Sequence, residues 1–370
     1  MKFCQNRNDS KILIDGIAYR LKKTGGVRRY FDGLLLNLKK LDNKNINIKL
    51  LLPKKIPTPF PKRIFEPLMG PINQIILQKQ WKNIKGDIFH TTYYTQHPDK
   101  HIPQVVTVYD MIYEKFPQYF LGQKNQFFKR QKKKAIQSAD AVICISQNTK
   151  KDVIKHLGVD KNKITVIYPG VNPIFRKISN KKIKNKFLHK YKIKKPYLLF
   201  IGPRGRYKNF NNLLQAYADW RVNSKINLVV VGGGKFTNKE KDLIAKLNLV
   251  NKVFVFSFVS DEDLCFFYNA AHAFIFPSLY EGFGFPLLEA MTCGSLCLAS
   301  DRGSFPEIGQ DSILYFNPKN VDSIVKSLND SFDKNRRSQL IKKSLKRAKD
   351  FSFKKTAKQT LEVYKRLHHS

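Results

Sequence analysis

Short apolar runs alternate with stretches of helical spacing along the whole chain, and the alternation runs through twice. The first set of runs is Lys11 to Asp15, Ile46 to Leu52, Asp87 to His90, Gln104 to Val108, Ala139 to Ile145 and Lys163 to Tyr168. The second is Tyr197 to Ile201, Ile226 to Val231, Lys252 to Phe256, Ala273 to Phe276, Ser295 to Ala299 and Ser312 to Phe316. Between them lie helical patterns, for example Val27, Tyr30, Phe31, Leu34, Leu38 and Leu41, and the stretches Pro71 to Lys82, Leu121 to Gln137 and Gln147 to His156. A strand that returns parallel to its predecessor needs a crossover, usually a helix, so this order predicts parallel sheets covered on both faces. The expected fold class is therefore α/β, with two doubly wound parallel-sheet domains, and 370 residues suffice for both cores. The polar, basic passage Arg176 to Lys186 reads as a linker or boundary, which gives expected domains 1–178 and 179–351. The last segment, 352–370, carries Phe353, Ala357, Leu361, Val363, Tyr364 and Leu367 on helical spacing and must pack on something.

Composition narrows the function classes. The net charge of +40 is spread evenly over both halves, mostly as Lys among Asn and Ile, whereas a nucleic-acid groove would cluster it on one element. No nucleic-acid partner is expected, and a basic nucleic-acid-binding protein stands only as a rival from another class. One cluster stands out, Lys124 to Lys134 (KNQFFKRQKKK). It reads either as a solvated helix face with two core phenylalanines or as a surface for anionic lipid head groups. The start, MKFCQNRNDSK, lacks the apolar core of a signal peptide, and no run reaches the roughly 18 apolar residues of a membrane span. A cytoplasmic protein is expected, with the Lys124 to Lys134 cluster as the one candidate contact with the membrane inner face. Five cysteines, Cys4, Cys144, Cys265, Cys293 and Cys297, form no CxxC pair and sit in apolar runs, as small buried hydrophobes do.

In open parallel sheets, ligands bind outside the carboxyl ends of the strands, so the loops after the runs hold the candidates. In the first half these are the Thr24, Gly25, Gly26 turn before a helix, His90 to Tyr94, Tyr109 with Asp110, and Ser146. In the second half, GPRGRYKNF follows Ile201 and supplies Gly202, Gly205, Arg204, Arg206 and Lys208, a set suited to a diphosphate beside a helix start. Gly232, Gly233 and Gly234 form a sharp turn. The Asp261 to Asp263 pair reads as a metal-binding Asp-x-Asp or as the acidic first turn of a helix capped by Ser260, and the cap is preferred. The richest stretch is Phe274 to Glu307, with Glu281 in a glycine-bearing loop and Glu289 expected in the first turn of a helix started by Pro286. Two such carboxylates can act as acid and nucleophile or base of a glycoside-cleaving site. Each can equally grip a diol of a sugar or ribose.

PSLYEGFGFPLLEA followed by SDRGSFPEI resembles the Glu-x7-Glu signature of the retaining, nucleotide-sugar-dependent glycosyltransferases of family 4, the glycosyl transferases group 1. TGGVRRYF, FHTTYYT, TVYDMIYEKFP, ICISQNTKKDV, VIYPGVNPIF, LLFIGPRGRYKNF and VSDEDL extend the resemblance along nearly the whole chain. It implies a GT-B architecture, two Rossmann-like domains facing across a cleft: an acceptor-side N-terminal domain, a nucleotide-sugar-binding C-terminal domain, and a final helix packing back on the first. By resemblance Glu281 contacts the donor sugar, Glu289 holds the ribose, and Arg204 and Lys208 neutralise the diphosphate. Gly25, Gly26, Gly202 and the helix start at Gly282, Phe283, Gly284 and Phe285 assist them. The base lies near Phe258 and Val259. Asp110 belongs to the catalytic set. Relatives often carry His where Tyr109 stands beside the donor; a tyrosine can still hydrogen-bond a sugar hydroxyl but, with its pKa near 10, cannot share that proton chemistry, and whether His90 takes it over is left open by the sequence. The family is similar in needing no bound metal, so no cofactor is expected. The implied activity is transfer of a hexose-type sugar, GDP- or UDP-linked, to a glycan or lipid-linked acceptor in cell-surface polysaccharide synthesis. A nucleotide-sugar epimerase is the rival within the fold.

Overall fold

The computed structural model describes residues 10–21, 25–41, 46–52, 77–193, 196–222 and 225–368. Thr24, Cys4 and the first six residues of the helix expected over Pro71 to Lys82 lie outside the described residues; 77–81 are helical. The chain forms two compact units, Met1–Gly170 with Ser352–Ser370, and Val171–Phe351.

The first unit is built on a six-stranded sheet in the order β2-β1-β3-β4-β5-β6. Its strands are β1 (Ser10–Asp15), β2 (Ile46–Leu51), β3 (Ile88–Thr91), β4 (Gln104–Val108), β5 (Ala141–Cys144) and β6 (Ile164–Val166), and every pairing is parallel. Its helices include α1 (Ile17–Leu21), α2 (Gly26–Lys40), α3 (Ile112–Lys115), α4 (Gln123–Gln137) and α5 (Gln147–Leu157). The second unit repeats the plan in the order β12-β11-β10-β7-β8-β9, again parallel throughout. Its strands are β7 (Tyr197–Ile201), β8 (Asn227–Val231), β9 (Val253–Phe256), β10 (Ala273–Phe276), β11 (Cys297–Ser300) and β12 (Leu314–Phe316). Around them lie α6 (Lys181–Lys190), α7 (Phe210–Asp219), α8 (Asn238–Lys246), α9 (Asp261–Ala270), α10 (Phe285–Thr292), α11 (Phe305–Gly309), α12 (Val321–Asp330) and α13 (Lys334–Ala348).

All twelve apolar runs are strands. Inner strands are covered on both faces by helices: every residue of β3, β7, β10 and β11 is buried, with β7 and β10 apolar throughout, whereas the edge strand β2 alternates. The passage expected as a linker instead contains the start of α6. Just before it, the Ile178 amide donates to the Asn269 side chain of α9 at 2.7 Å.

The final helix, α14 (Phe353–His368), completes the first unit. Phe353, Leu361, Val363 and Tyr364 are buried, and fully covering an aliphatic or Phe side chain contributes about 1.5–3 kcal/mol toward ordering the helix. The Thr356 hydroxyl donates to the Tyr168 carbonyl at 2.8 Å, and Tyr364 Oη lies 2.6 Å from His90 Nδ1.

In each sheet one gap separates neighbouring strands whose following connections leave in opposite directions along the sheet. Strand order places it between β1 and β3 in the first unit and between β7 and β10 in the second. Loops diverge there, and the crevice they leave at the carboxyl edge is where open α/β sheets take ligands.

Candidate functional site

At the β7/β10 gap the two loops are stitched together. The Leu279 amide donates to the Tyr207 carbonyl at 2.7 Å, and Lys208 Nζ lies 2.5 Å from Glu281 Oε1. Lys208 sits in a single 3₁₀ turn, Arg206–Lys208, ended by Asn209 in the left-handed conformation, whose side chain donates to the Pro318 carbonyl at 2.6 Å. The ammonium lies 5.2 Å above the Phe276 ring at the end of β10. Among the described residues Glu281 is its one hydrogen-bond partner, so two of its three N–H groups stay available to an anion. The Glu281 loop is held from the other side by α11: the Ser304 hydroxyl sits 3.1 Å from the Glu281 carbonyl and 2.8 Å from that of Phe283. Gly303, at φ 63°, passes so close that a Cβ there would stand 3.0 Å from the Glu281 carbonyl oxygen.

Glu289 departs from its expected place. The helix starts at Phe285 with Gly284 as its cap, so Glu289 is the fifth residue and lies beyond the first turn. The dipole of the helix start therefore does not explain it. Glu289 is buried, and its Oε2 accepts from the Tyr268 hydroxyl of α9 at 2.9 Å. Gly282, Phe283, Gly284 and Phe285 form the turn into α10, where Pro286 brings no N–H and the Leu287 amide donates to the Gly284 carbonyl at 2.9 Å. On the loop after β9, Phe258 is 94% exposed and Val259 follows it.

Arg204 does not have the freedom that neutralising a diphosphate requires. Nε donates to Glu240 Oε1 at 2.7 Å, Nη1 to the carbonyls of Gly232 and Gly234, and Nη2 to those of Gly233 and Lys235 and to Glu240 Oε2. All five N–H donors of the guanidinium are committed inside the protein. This fork fastens the three-glycine turn, whose φ values of 90°, 72° and 76° suit only glycine. Burial raises the Glu240 carboxyl, but hydrogen bonds from Arg204 and Thr237 outweigh it and hold its pKa below the usual range. Gly202, at the end of β7, backs the same turn.

Asp263 also has an internal role. Ser260 caps α9 by accepting from the Asp263 amide at 3.1 Å, while the Asp263 carboxylate takes Tyr191 Oη at 2.6 Å and Lys190 Nζ at 3.1 Å. Among the described residues no three His, Cys, Asp or Glu side chains are grouped to hold a metal.

The β1/β3 gap of the first unit is closed by comparison. Asp15, at the end of β1, is fully buried and accepts from the hydroxyls of Thr92 and Thr95 and from the Ile17 amide. Burial raises its pKa, with those threonines acting against the shift. Tyr109 is turned inward, against the expectation that it offers a hydroxyl to sugar. Its Oη donates to the Thr92 carbonyl at 2.9 Å, and its ring packs edge-on to Tyr30 and Tyr94. His90 cannot take over, because Tyr364 and Thr107 occupy both ring nitrogens, at 2.6 and 2.8 Å, and burial pushes its pKa down to about 3. Asp110 remains half-exposed. Lys132, fully buried on α4, donates to its carbonyl at 2.7 Å and to Glu114 Oε2 at 2.9 Å. Gly25 and Gly26 are exposed at the start of α2, with open space where a Gly25 Cβ would stand.

Two family models match this chain. Glycosyl transferases group 1 matches residues 181–347, and Glycosyltransferase Family 4 matches residues 25–174. The chain belongs to glycosyltransferase family 4. The glycosyltransferase is 28% identical over 269 residues to O-antigen chain mannosyltransferase B of Escherichia coli, spanning 71% of this chain and 70% of that protein. It is 29% identical to O-antigen chain mannosyltransferase RfbU of Salmonella typhimurium over 61% of this chain and 60% of the relative. It also matches the serotype-specific mannosyltransferase WbdA of Escherichia coli at 29% identity, over 67% of this chain and 31% of that longer protein. Among solved structures, sucrose-phosphate synthase from Thermosynechococcus elongatus aligns with TM-score 0.77 and 17% identity over 97% of this chain and 99% of that one. WaaG, a glycosyltransferase involved in lipopolysaccharide biosynthesis, aligns with TM-score 0.73 and 18% identity over 96% and 99%. The fold is GT-B.

Several residues that support the candidate residues carried no signal for that role in the sequence. Tyr268 is one more aromatic in an apolar helix, and Lys132 one lysine of a basic run. Glu240 was legible only as the fourth residue of Thr237-x-x-Glu240, a capping box that the structure forms. That it also pairs with Arg204 depends on β7 and β8 lying side by side.

Proposed function

We propose that the protein transfers a hexose, with retention of configuration, from a GDP- or UDP-linked donor to a glycan or lipid-linked acceptor in cell-surface polysaccharide synthesis. The observation that carries this is the Lys208 to Glu281 pair at the β7/β10 gap. In this reading Lys208 meets the charge that builds on the departing diphosphate, with the turn from Gly282 to Phe285 bringing the backbone close, while Glu281 accepts from donor-sugar hydroxyls. Such preorganised charge counts most where water is excluded, and removing one donor of this kind costs about 10²–10³ in rate. Glu289, aimed by Tyr268, accepts from the ribose hydroxyls, and exposed Phe258 with Val259 offers the base a stacking face. Arg204 is a positioning residue that keeps the turn after β8 in shape for the donor. Gly25 and Gly26 are donor contacts in this reading, and Asp110, whose Oδ1 already accepts from the Ile112 amide at 3.1 Å, belongs to the catalytic set. With Glu281 held by Lys208 and serving the donor hydroxyls rather than attacking, the leaving phosphate accepts the acceptor's proton on the face where the new bond forms. The mannosyltransferase names of the relatives favour a mannosyl group. The test is transfer from GDP-mannose and a panel of UDP-hexoses by the wild type and by Glu281→Ala and Lys208→Ala, with thermal unfolding as the control. Full activity in both folded variants overturns the assignment.

A membrane contact is a second reading, favoured by α4. Phe128 and Lys132 are buried, but Arg130, Lys133 and Lys134 are exposed, and Leu121 just before the helix is 73% exposed. Basic side chains beside an exposed apolar tip suit anionic head groups, each worth about 1 kcal/mol near such a surface. Sedimentation with anionic but not neutral vesicles, lost when these three become Gln, is the expected result. Among the described residues no helix is long and apolar enough to cross a membrane.

A further inference from the structure

Two cysteines meet directly behind the donor carboxylate. Cys265 of α9 and Cys293 at the end of α10 have sulfurs 3.7 Å apart, unbonded and buried. The same two helices carry Tyr268 and Glu289, and the Cys293 amide donates to the Glu289 carbonyl at 3.0 Å. The two sulfurs have unlike surroundings. Cys265 lies 3.4 Å from the Arg176 carbonyl and 3.5 Å from the Asn269 amide nitrogen, and Arg176 itself is exposed, so this sulfur lies one residue beneath the surface. Cys293 is enclosed and has the Glu289 charge nearby.

We propose that Cys265 and Cys293 form a reversible disulfide under peroxide and that this bond weakens donor binding by shifting α9 against α10. The second half rests on Glu289 being a donor contact. A disulfide needs its sulfurs about 2.05 Å apart, so the pair must close by about 1.7 Å. In this proposal side-chain rotation supplies part of that and a shift of α9 against α10 the rest. Because the Tyr268 to Glu289 hydrogen bond joins the same helices, it is strained by the same movement. Cys265 is the attacking sulfur: the hydrogen bond from Cys293, with the Arg176 charge and Asn269 helping, brings its pKa down to about 7, whereas burial raises that of Cys293. The Cys265 thiolate attacks one peroxide oxygen, breaking the O–O bond to give a sulfenic acid and hydroxide, which takes up the proton that Cys265 released. Cys293 then attacks the Cys265 sulfur, the S–S bond forms, and the sulfenic oxygen leaves as water with the Cys293 proton. Two thiols and one hydrogen peroxide give one disulfide and two waters.

The test is to expose the folded enzyme to hydrogen peroxide, block the remaining thiols and map peptides by mass. The expected product is a single cross-link between the Cys265 and Cys293 peptides, reversed by dithiothreitol. Cys293→Ser should stop at a sulfenic acid on Cys265, trapped by dimedone, and Cys265→Ser should give neither product. Oxidation of Cys144 or Cys297 ahead of this pair, or no cross-link while the heat-unfolded protein oxidises readily, overturns the proposal. The cross-linked enzyme should bind GDP or UDP at least tenfold more weakly and regain affinity on reduction; unchanged affinity overturns the regulatory half. Reduced Glu289→Gln tests the donor contact separately, since its affinity falls without any oxidation if that reading holds.

Discussion

The β7/β10 gap and the β1/β3 gap occupy equivalent places in two sheets of the same plan, yet one is built open and the other sealed. At β7/β10 a lysine and a glutamate face each other with hydrogen-bonding capacity to spare. At β1/β3 the acid Asp15 is covered by Thr92 and Thr95, and Tyr109 spends its hydroxyl on the backbone. A buried carboxylate must either be paired or satisfied locally, and Asp15 takes the second course. The β1/β3 gap therefore holds a loop in place, and the β7/β10 gap keeps a charged pair at its mouth. A doubly wound sheet supplies the crevice, but the residues at its mouth decide whether anything binds there.

The comparison breaks most sharply at Lys208 and Glu281. Replacing either by Ala should cut transfer by about 10²–10³, measured by donor turnover at a temperature where thermal unfolding shows both variants folded, and should also lower stability because the partner left behind is largely covered. Next is Arg204. Removing one partner of a buried ion pair costs about 3–5 kcal/mol, so Arg204→Ala should lower stability strongly, and Arg204→Lys should not restore it because an ammonium cannot span four carbonyls and a carboxylate. Transfer lost at full stability would instead return Arg204 to the diphosphate.

The pH dependence of folding should come after these. Burial pushes His90 down to about 3 and His272 to about 4, against about 6.5 in an unfolded chain. Below pH 6.5 the unfolded state binds more protons than the folded one, so stability present at neutral pH is lost as pH falls toward 4. The loss is at most about 1.4 kcal/mol per pH unit for each imidazole. Denaturant melts of wild type and His90→Gln across pH 4.5–7 should show a shallower slope in the variant; equal slopes would remove His90 from this account. The smallest effect belongs to Tyr109. Tyr109→Phe loses one buried hydrogen bond, about 1 kcal/mol, and leaves the donor KM where it was, because the hydroxyl faces the protein. A large rise in KM would mean that the β1/β3 side opens to the donor after all.

Much of this was legible without coordinates. Fully covered strands need continuous apolar residues, which is why YLLFI and AFIF could be read as strands, and strand-helix alternation left few topologies. Glu281 stood out because nothing local accounts for an acid between Tyr280 and Gly282. Glu289 was found for an incomplete reason, since the helix begins one residue earlier than Pro286 implies and its partner Tyr268 comes from another helix. Arg204 misled because a basic side chain in a glycine loop looks alike whether it awaits a phosphate or clasps a turn. The role of His90 was open in the sequence, since its partner Tyr364 lies on a helix far along the chain.

The sequence by itself determined the strands, the helices and their doubled order, because periodicity along a chain is a local property set by which faces must be buried. Tertiary structure alone decided which charges are spent and which remain for a ligand. Lys208 meets Glu281, and Arg204 meets Glu240, only because parallel pairing brings loops distant in sequence to one sheet edge. A charged side chain's worth depends on the partners that reach it.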